Sequence, residues 1–170
     1  LQDAGCNAIG LSGADGNIVR AHRRAAKPID YGFVGDIDEV DATMLRNLLE
    51  AGLTPVFSAI MHDGEGTLLN CNADSVTQAV ALGASQIAPT DLVFCFEKKG
   101  VLRDAEDDSS VIERITPASY AALKADGIVS GGMIPKIENA LRAVAQGVRT
   151  VRIKHADDLL CEAGTTICNE

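Results

Sequence analysis

Two short segments combine residue types that bind phosphate and carboxylate groups. Residues 70–74 have the sequence NCNAD, and residues 130–136 have the sequence SGGMIPK. Glycines ahead of a helix leave backbone N–H groups free to approach an anion, and a nearby lysine adds positive charge. Amide and carboxylate side chains at a second helix start can orient a polar substrate. The two segments together are candidates for a site that binds anionic ligands.

Residues 70–74 lie where a predicted strand meets a predicted helix. Asn72 is a favourable N-cap, and Asp74 in the first turn complements the helix dipole, so helix capping alone can explain the pattern. In the functional interpretation, Asn70 presents its amide to a ligand and Asp74 points its carboxylate into the same crevice. The residues alone leave both interpretations open.

Residues 130–136 place a lysine where the start of a helix disfavours positive charge. Pro135 suits the first position of a helix, which places Lys136 in the first turn, where a cation opposes the helix dipole. Such a conflict beside glycines is typical of functional sites. The structural alternative is an exposed lysine whose stem reaches water. A third segment, residues 96–102, leaves the most apolar predicted strand and is either a connection or part of the same site.

The elements that must position these residues alternate along the chain. Strands are predicted at residues 6–11, 18–22, 55–61, 68–69, 91–96, 148–153 and 164–167. Helices are predicted to begin at Asp41, Asn72, Thr116 and Pro135. Residues 30–36 are predicted to be a connection. This order predicts an α/β fold whose mainly parallel sheet lies between helix layers, with ligands at the carboxyl ends of the strands.

Two details of that arrangement follow from the apolar pattern. Residues 91–96 lack polar alternation, which predicts a central parallel strand. Two hairpins are predicted in the first half of the chain, one joining residues 6–11 to 18–22 and the other joining 55–61 to 68–69.

Composition excludes several classes of function. The 170 residues carry 24 acidic and 15 basic side chains, a formal net charge of −9, which argues against binding nucleic acid or an anionic membrane. No apolar run is long enough to span a bilayer. Five cysteines without metal-ligand spacing predict reduced thiols in a cytoplasmic protein, with no side-chain metal site. Leu1 opens within a predicted helix end, so we expect a segment upstream.

The motifs, taken in order, resemble the amino-acid kinase family. They are GLSGADG at 10–16, NCNAD at 70–74, GMIPK at 132–136 and GT at 164–165. The resemblance covers nearly the whole chain without the beginning of the family pattern. It is strongest to members that phosphorylate the γ-carboxylate of N-acetyl-L-glutamate in arginine biosynthesis. It implies a three-layer αβα sandwich, ATP and Mg²⁺ as cofactors, an N-acyl-L-glutamate as substrate, and a homo-oligomer of two or more subunits.

The resemblance also assigns roles to residues. Residues 1–86 would be a partial N-terminal half that binds the acylglutamate through Asn70 and Asn72, and residues 87–170 a C-terminal half that binds the nucleotide. Lys136 would stabilise the transition state, and Asp74 would orient the catalytic lysines. The residues implied to bind nucleotide are Glu97, Lys98, Gly100, Val101, Leu102, Ile128, Val129 and Ser130.

Alternatives remain within this resemblance. The acceptor could be an N-succinyl or another N-acyl form, and other members of the family act on aspartate, carbamate or a nucleotide monophosphate. The chain could also be a catalytically inactive nucleotide-binding fragment. A carboxylate acceptor is ionised at neutral pH and needs no general base, which agrees with the lack of a recognisable histidine motif.

Overall fold

The computed structural model describes residues 1–169, and the chain divides into two compact units, Leu1–Ala88 and Pro89–Glu170. Each unit combines helices with strands, which confirms the α/β class. Among the described strands, four pairings are parallel and three are antiparallel, so the predicted parallel character holds and the sheets are mixed. Within residues 1–169, no helix is both long and apolar enough to cross a membrane.

The first unit contains two sheets. Its strands are β1 (Ala8–Leu11), β2 (Val19–Arg23), β3 (Gly35–Val40), β4 (Thr54–Phe57), β5 (Ile60–His62) and β6 (Leu68–Asn70). Its helices are α1 (Ala42–Glu50) and α2 (Ala73–Ser85). β1 pairs with β4 in parallel, and the other four strands form a sheet in the order β3-β2-β5-β6. The buried core comprises Ile18, Val19, Ala21, Met61, Leu69, Cys71 and Val76.

Helix α1 begins where the sequence predicts. The carboxylate of Asp41 accepts the backbone N–H groups of Thr43 at 2.9 Å and Met44 at 3.0 Å. These bonds satisfy donors that the first helical turn cannot pair internally, a contribution of about 1 kcal/mol. Leu45 is the residue of this helix that is buried. An N-cap residue followed by apolar residues at helical spacing was therefore sufficient to predict the start of α1.

Strand β3 was not predicted, because its sequence is rich in acidic residues. It pairs with β2 in antiparallel orientation, and its acidic side chains contact basic side chains of β2. His22 contacts Asp38 at 2.7 Å, and Arg20 contacts Glu39 at 3.3 Å. Cross-strand pairs of opposite charge stabilise adjacent strands. Considered alone, these acidic residues predict a loop. Beside β2 they are compatible with a strand, because basic side chains of β2 pair with them.

Two further predictions for this unit were wrong. The strands near residues 6–11 and 18–22 do not form a hairpin, because β1 pairs with β4 while β2 pairs with β3 and β5. The predicted strand 55–61 is two strands, β4 and β5, which belong to different sheets. A continuous run of apolar residues does not show where one strand ends and the next begins. The predicted hairpin between β5 and β6 is confirmed.

The second unit is built on one four-stranded sheet. Its strands are β7 (Asp91–Phe96), β8 (Arg114–Ile115), β9 (Thr150–His155) and β10 (Thr165–Ile167), in the order β7-β9-β10-β8. Its helices are α3 (Pro117–Ala125) and α4 (Met133–Ala145). Among the described strands, β7 pairs with β9 alone, so it lies at an edge of its sheet and the predicted central position is wrong.

The two helices of this unit begin differently. Thr116 and Ser119 form a capping box, with Pro117 at the first position of α3, as the sequence predicts. Helix α4 begins at Met133, two residues before the predicted start, and Gly132 at its N-cap provides no side-chain bond. Pro135 is tolerated there because the N–H groups of the first turn have no partner within the helix.

A buried lysine joins β9 to the loop that follows it. Lys154 is 2% exposed, and its Nζ donates to the backbone oxygens of Asp158 at 3.1 Å and Cys161 at 2.5 Å. A buried charge is costly unless it is hydrogen-bonded, and these carbonyl groups meet that requirement. The loop after β9 is therefore held against the strand by a side chain from the core.

An ion pair joins the amino-terminal ends of β7 and β9. Arg149 donates to both oxygens of Asp91, including Nε to Oδ1 at 2.9 Å, and Thr150 donates to Oδ1 at 2.7 Å. The hydrogen bonds from Arg149 lower the pKa of Asp91 from 3.8 to about 2. A carboxyl group with a depressed pKa in the folded state stabilises that state whenever it is ionised.

Replacing Asp91 with Asn is expected to lower the free energy of unfolding by about 1–2 kcal/mol at pH 7, allowing for the partial exposure of the pair. Stabilisation by Asp91 is present above its unfolded pKa and is lost as the pH falls through the folded value of about 2. Urea denaturation at pH 7, 4 and 2.5 measures the difference. Asp126→Asn, at the exposed end of α3, is the control. Equal stability of wild type and Asp91→Asn at pH 7 would contradict this prediction.

Candidate functional site

The polar side chains of residues 70–74 lie at the junction of β6 and α2. Asn70 ends β6, Asn72 is the N-cap of α2, and Asp74 lies in its first turn. All three residues are exposed, whereas Cys71 between them is buried in the core of the first unit. Burial raises the pKa of the Cys71 thiol. The buried cysteine anchors a segment that presents three polar side chains to the surface.

The capping interpretation holds for Asn72. Its Oδ1 accepts the backbone N–H of Ser75 at 3.1 Å, which leaves the side-chain NH₂ as the group that could bind a substrate. Asp74 forms no ion pair with any residue in 1–169, and it lies in the first turn of α2. Asp74 therefore remains available to an incoming cation.

The carboxyl end of β7 opens into a cavity of ≈ 450 Å³ in the second unit. It is lined by Cys95, Phe96, Glu97, Lys98, Gly100, Met133 and Ile153. The volume lies within the usual range for a small-molecule site. The cavity brings together the end of a parallel strand, the loop after it and the first residue of α4, which is where an open α/β sheet binds ligands. Three of the predicted nucleotide residues, Glu97, Lys98 and Gly100, line it.

Gly100 lets this loop approach β10. The backbone N–H of Val101 donates to Thr165 Oγ1 at 2.8 Å in a buried hydrogen bond. A Cβ atom on Gly100 would lie 2.8 Å from that hydroxyl oxygen and 3.1 Å from the Thr165 backbone nitrogen. No larger residue fits without moving the loop or the strand.

The other five predicted nucleotide residues do not line the cavity. Val101 and Val129 are each 2% exposed, so their side chains belong to the core. Leu102 forms an isolated β-bridge with Val111, and Ile128 and Ser130 lie in the connection between α3 and α4. A nucleotide in the cavity would therefore be contacted chiefly by residues 95–100 and the start of α4.

Lys136 is the fourth residue of α4 and is half-buried. Its Nζ lies 3.8 Å from the centroid of the Phe96 ring, so the ammonium group sits beside the cavity that Phe96 lines. Within residues 1–169, Lys136 forms no ion pair. The predicted catalytic lysine thus places an unneutralised positive charge next to the candidate nucleotide site.

Helix α4 is fixed to α3 two residues beyond Lys136. Glu138 Oε1 accepts hydrogen bonds from Lys124 Nζ at 2.8 Å and Tyr120 Oη at 2.9 Å. The bond from Lys124 is the largest cause of a lowered pKa at Glu138, while burial and then the Glu138 bond raise the pKa of Tyr120. This cluster holds the first turns of α4, and with them Lys136, against α3.

Sequence reasoning gave no site role to four lining residues of the cavity, Cys95, Phe96, Met133 and Ile153. Phe96 was predicted to end a strand and to begin the segment 96–102, either a connection or part of the site, but it received no binding role of its own, although side chains at the carboxyl ends of parallel strands commonly face ligands. Met133 was placed in a loop because Pro135 suggested a later helix start. Ile153 carried no signal, since nothing in its sequence context distinguishes it from a core residue.

The second unit has another, larger cavity of ≈ 730 Å³ that contains none of the predicted site residues. It is lined by Lys99, Val111, Glu113, Arg114, Thr150, Glu162, Ala163, Gly164, Thr166 and Cys168. Its lining mixes carboxylates with basic side chains, so it has no clear preference for an anion. Among the described residues, no group of three or more His, Cys, Asp or Glu side chains could hold a metal ion.

Comparison with known proteins identifies the family. Residues 1–155 match the family described as the amino acid kinase family, which is more than half of the chain. The chain belongs to the amino acid kinase family. Membership agrees with the order of motifs in the sequence and with the α/β units of the structure.

Individual relatives support this assignment. The chain is 48% identical over 167 residues to the acetylglutamate kinase of Bacteroides thetaiotaomicron, covering 98% of this chain and 65% of that protein. A solved structure, smu.665 from Streptococcus mutans UA159, superimposes with a TM-score of 0.79 at 32% identity, over all of this chain and 64% of that one. The chain therefore spans about 65% of the length of the curated relatives it matches.

A more distant solved structure shares the fold alone. N-acetylglutamate synthase from Neisseria gonorrhoeae superimposes with a TM-score of 0.74 at 22% identity, over 94% of this chain and 38% of that one. The arrangement of strands and helices is therefore shared with that structure.

Gly100→Ala is expected to destabilise the second unit by about 1–3 kcal/mol, because the added methyl group overlaps Thr165. Thermal and urea unfolding measure the effect. The control is Gly132→Ala, since a Cβ at that position meets no atom within 4 Å; we expect a change of about 0.5 kcal/mol or less there. The close packing of this loop against β10 would be disproved by a Gly100→Ala protein as stable as wild type.

Proposed function

We propose that this chain is the larger part of an enzyme that transfers the γ-phosphoryl group of ATP to the γ-carboxylate of N-acetyl-L-glutamate. The observation that carries the proposal is the Lys136 ammonium, which no carboxylate in residues 1–169 neutralises, beside the cavity at the end of β7. Relatives up to 48% identical, named acetylglutamate kinase, support the choice of substrate. The product is an acyl phosphate that serves arginine biosynthesis.

The proposed reaction matches the residues that are present. A carboxylate oxygen of the substrate forms a bond to the γ-phosphorus, and the bond from that phosphorus to the leaving oxygen of ADP breaks. No proton moves, because the acceptor carboxylate is ionised near neutral pH. Catalysis therefore needs aligned reactants and positive charge around the transferring group more than it needs a general base. Lys136 supplies such a charge, at the start of a helix whose dipole also favours anions.

In the proposal, ATP binds in the second unit, which corresponds to the C-terminal half expected at residues 87–170. Glu97, Lys98 and Gly100 would contact the nucleotide, with Lys98 and Lys136 as the nearby cations. Mg²⁺ bound with ATP would neutralise charge on its phosphates. Such ions are held largely by phosphate oxygens with one or two carboxylates, so the site requires no cluster of side-chain ligands.

The first unit would hold the acylglutamate. The expected substrate half, residues 1–86, lies within this unit. Asn70 and Asn72 would donate amide hydrogens to its polar groups, and Asp74 would orient the catalytic lysines. Two observations support these roles: Asn70 and Asp74 are exposed, and Asp74 forms no ion pair within the described residues, 1–169. A cytoplasmic location and assembly into a homo-oligomer of two or more subunits stay predictions.

Lys136→Ala is expected to lower kcat by about 10²–10³-fold, because one preorganised charge at the transferring phosphoryl group is removed. The protein expressed from its complete reading frame is assayed for ATP-dependent acyl phosphate, trapped with hydroxylamine. Lys27→Ala, an exposed lysine in the loop after β2, is the matched control and should retain full activity. Circular dichroism verifies that both variants fold.

The same assay tests the substrate. N-acetyl-L-glutamate is compared with N-succinyl-L-glutamate, aspartate, carbamate and a nucleotide monophosphate. If the protein phosphorylates aspartate, carbamate or the nucleotide monophosphate and neither N-acylglutamate, its activity is that of another member of the family. Calorimetric binding of ATP without turnover of any acceptor would instead indicate an inactive nucleotide-binding protein.

Asn70→Ala is expected to raise KM for the acylglutamate about tenfold with little change in KM for ATP. The reason is that a hydrogen bond to a charged or polar substrate group is lost from one site only. Steady-state kinetics with each substrate varied in turn measure the two constants. Asn47→Ala, in α1, is the control. Equal increases in both KM values would argue against a substrate-specific role for Asn70.

A further inference from the structure

The contact between Lys136 and Phe96 stands out among the interactions of lysine and arginine with rings in the described structure. Lys136 Nζ lies 3.8 Å from the Phe96 centroid, whereas the other three cations lie 5.7 to 5.9 Å from their rings. A cation within about 6 Å of a ring face is attracted by the negative charge of that face. The attraction is strongest at the short distance seen for Lys136.

The partner of Lys136 is neutral, which distinguishes this lysine from Lys98 and Lys124 in the second unit. Lys98 contacts Asp108 at 3.6 Å, and Lys124 contacts Glu138 at 2.8 Å. An ammonium group paired with a carboxylate must break that pair before it can bind a phosphoryl group. A ring holds the ammonium in place without cancelling its charge.

Both members of the contact are on rigid elements. Phe96 is the last residue of β7, in register with His155 of β9, and Lys136 is in the first turns of α4. Glu138 ties that part of α4 to α3. A long lysine side chain can adopt many rotamers, and ordering it costs side-chain entropy. Packing the ammonium on a fixed ring restricts those rotamers before the substrate arrives.

We propose that Phe96 is the positioning residue for Lys136: its ring holds the ammonium group beside the nucleotide cavity, where no carboxylate in residues 1–169 pairs with it. This inference rests on the proposed function, since it assigns to Phe96 the alignment of the proposed catalytic lysine. Phe96 acts through Lys136, so its loss disorders the lysine without removing the charge. The expected effect therefore falls on kcat, while KM for the acylglutamate changes little.

The kinetic test compares aromatic and aliphatic residues at position 96 in the protein expressed from its complete reading frame. Phe96→Leu is expected to lower kcat about tenfold, Phe96→Met to lower it similarly, and Phe96→Tyr to retain most of the wild-type rate. Phe94→Leu removes the adjacent aromatic ring of β7, 6.4 Å from that of Phe96, and serves as the matched control with kcat near wild type. Thermal unfolding of each variant verifies that it is folded.

A second measurement reports the contact independently of activity. Protons above an aromatic face are shielded, so the Hε resonances of Lys136 should lie upfield of those of other lysines in an NMR spectrum. The shifted signal is assigned by its disappearance in Lys136→Ala. It should persist in Phe96→Tyr and Phe94→Leu and move to the ordinary position in Phe96→Leu.

The outcomes separate this inference from the function on which it rests. If Lys136→Ala is inactive while folded Phe96→Leu and Phe96→Met keep the wild-type kcat, the positioning role is overturned and the proposed kinase stands. An unshifted Lys136 resonance in the wild type also overturns it. If the wild type forms no acyl phosphate from any acceptor, the proposed function fails and the role of Phe96 fails with it.

Discussion

The parallel pairing of β7 with β9 is the constraint on which the rest of the second unit depends. Six residue pairs, from Asp91 with Thr150 to Phe96 with His155, hold the two strands in register. The ion pair of Asp91 with Arg149 fixes the amino-terminal ends. Because side chains alternate between faces, a slip of one residue would turn Phe96 to the opposite face of the sheet. The loop after β7, the cavity and the surroundings of Lys136 all follow from this register.

Signals within a few residues of one another were enough to locate the starts of α1, α2 and α3. Asp41, Asn72 and Thr116 were recognisable as N-caps because a cap and the N–H groups it satisfies are neighbours in sequence. Strand pairing was less predictable, since the partner of a strand is distant in sequence. β3 depends on basic residues of β2 and β1 pairs with β4, and neither relation is visible in a local window.

The candidate site shows the same division between local and distant information. Gly100 and Lys136 were accessible from the sequence, because glycines and a misplaced charge near strand ends and helix starts are local signals. The ring of Phe96 was not, since its significance comes from a residue forty positions later. The net charge of −9 was also a poor guide to the site, because an anion responds to the few cations near it and not to the total.

Lys154 illustrates how chemistry can narrow the residues that a core position accepts. Methionine has no ammonium group, so the carbonyl group of Cys161 would lose the hydrogen bond from Nζ, while that of Asp158 would keep the bond from the backbone N–H of Cys161 at 3.1 Å. Arginine would keep the donors but bring a larger planar group into a site with 2% exposure. A change at this position therefore requires a matching change in the loop that follows β9. Because both acceptors are backbone oxygens, residues of any type at 158 and 161 preserve them, so the tether constrains the residue at 154 and the path of the loop more than the side chains of the loop.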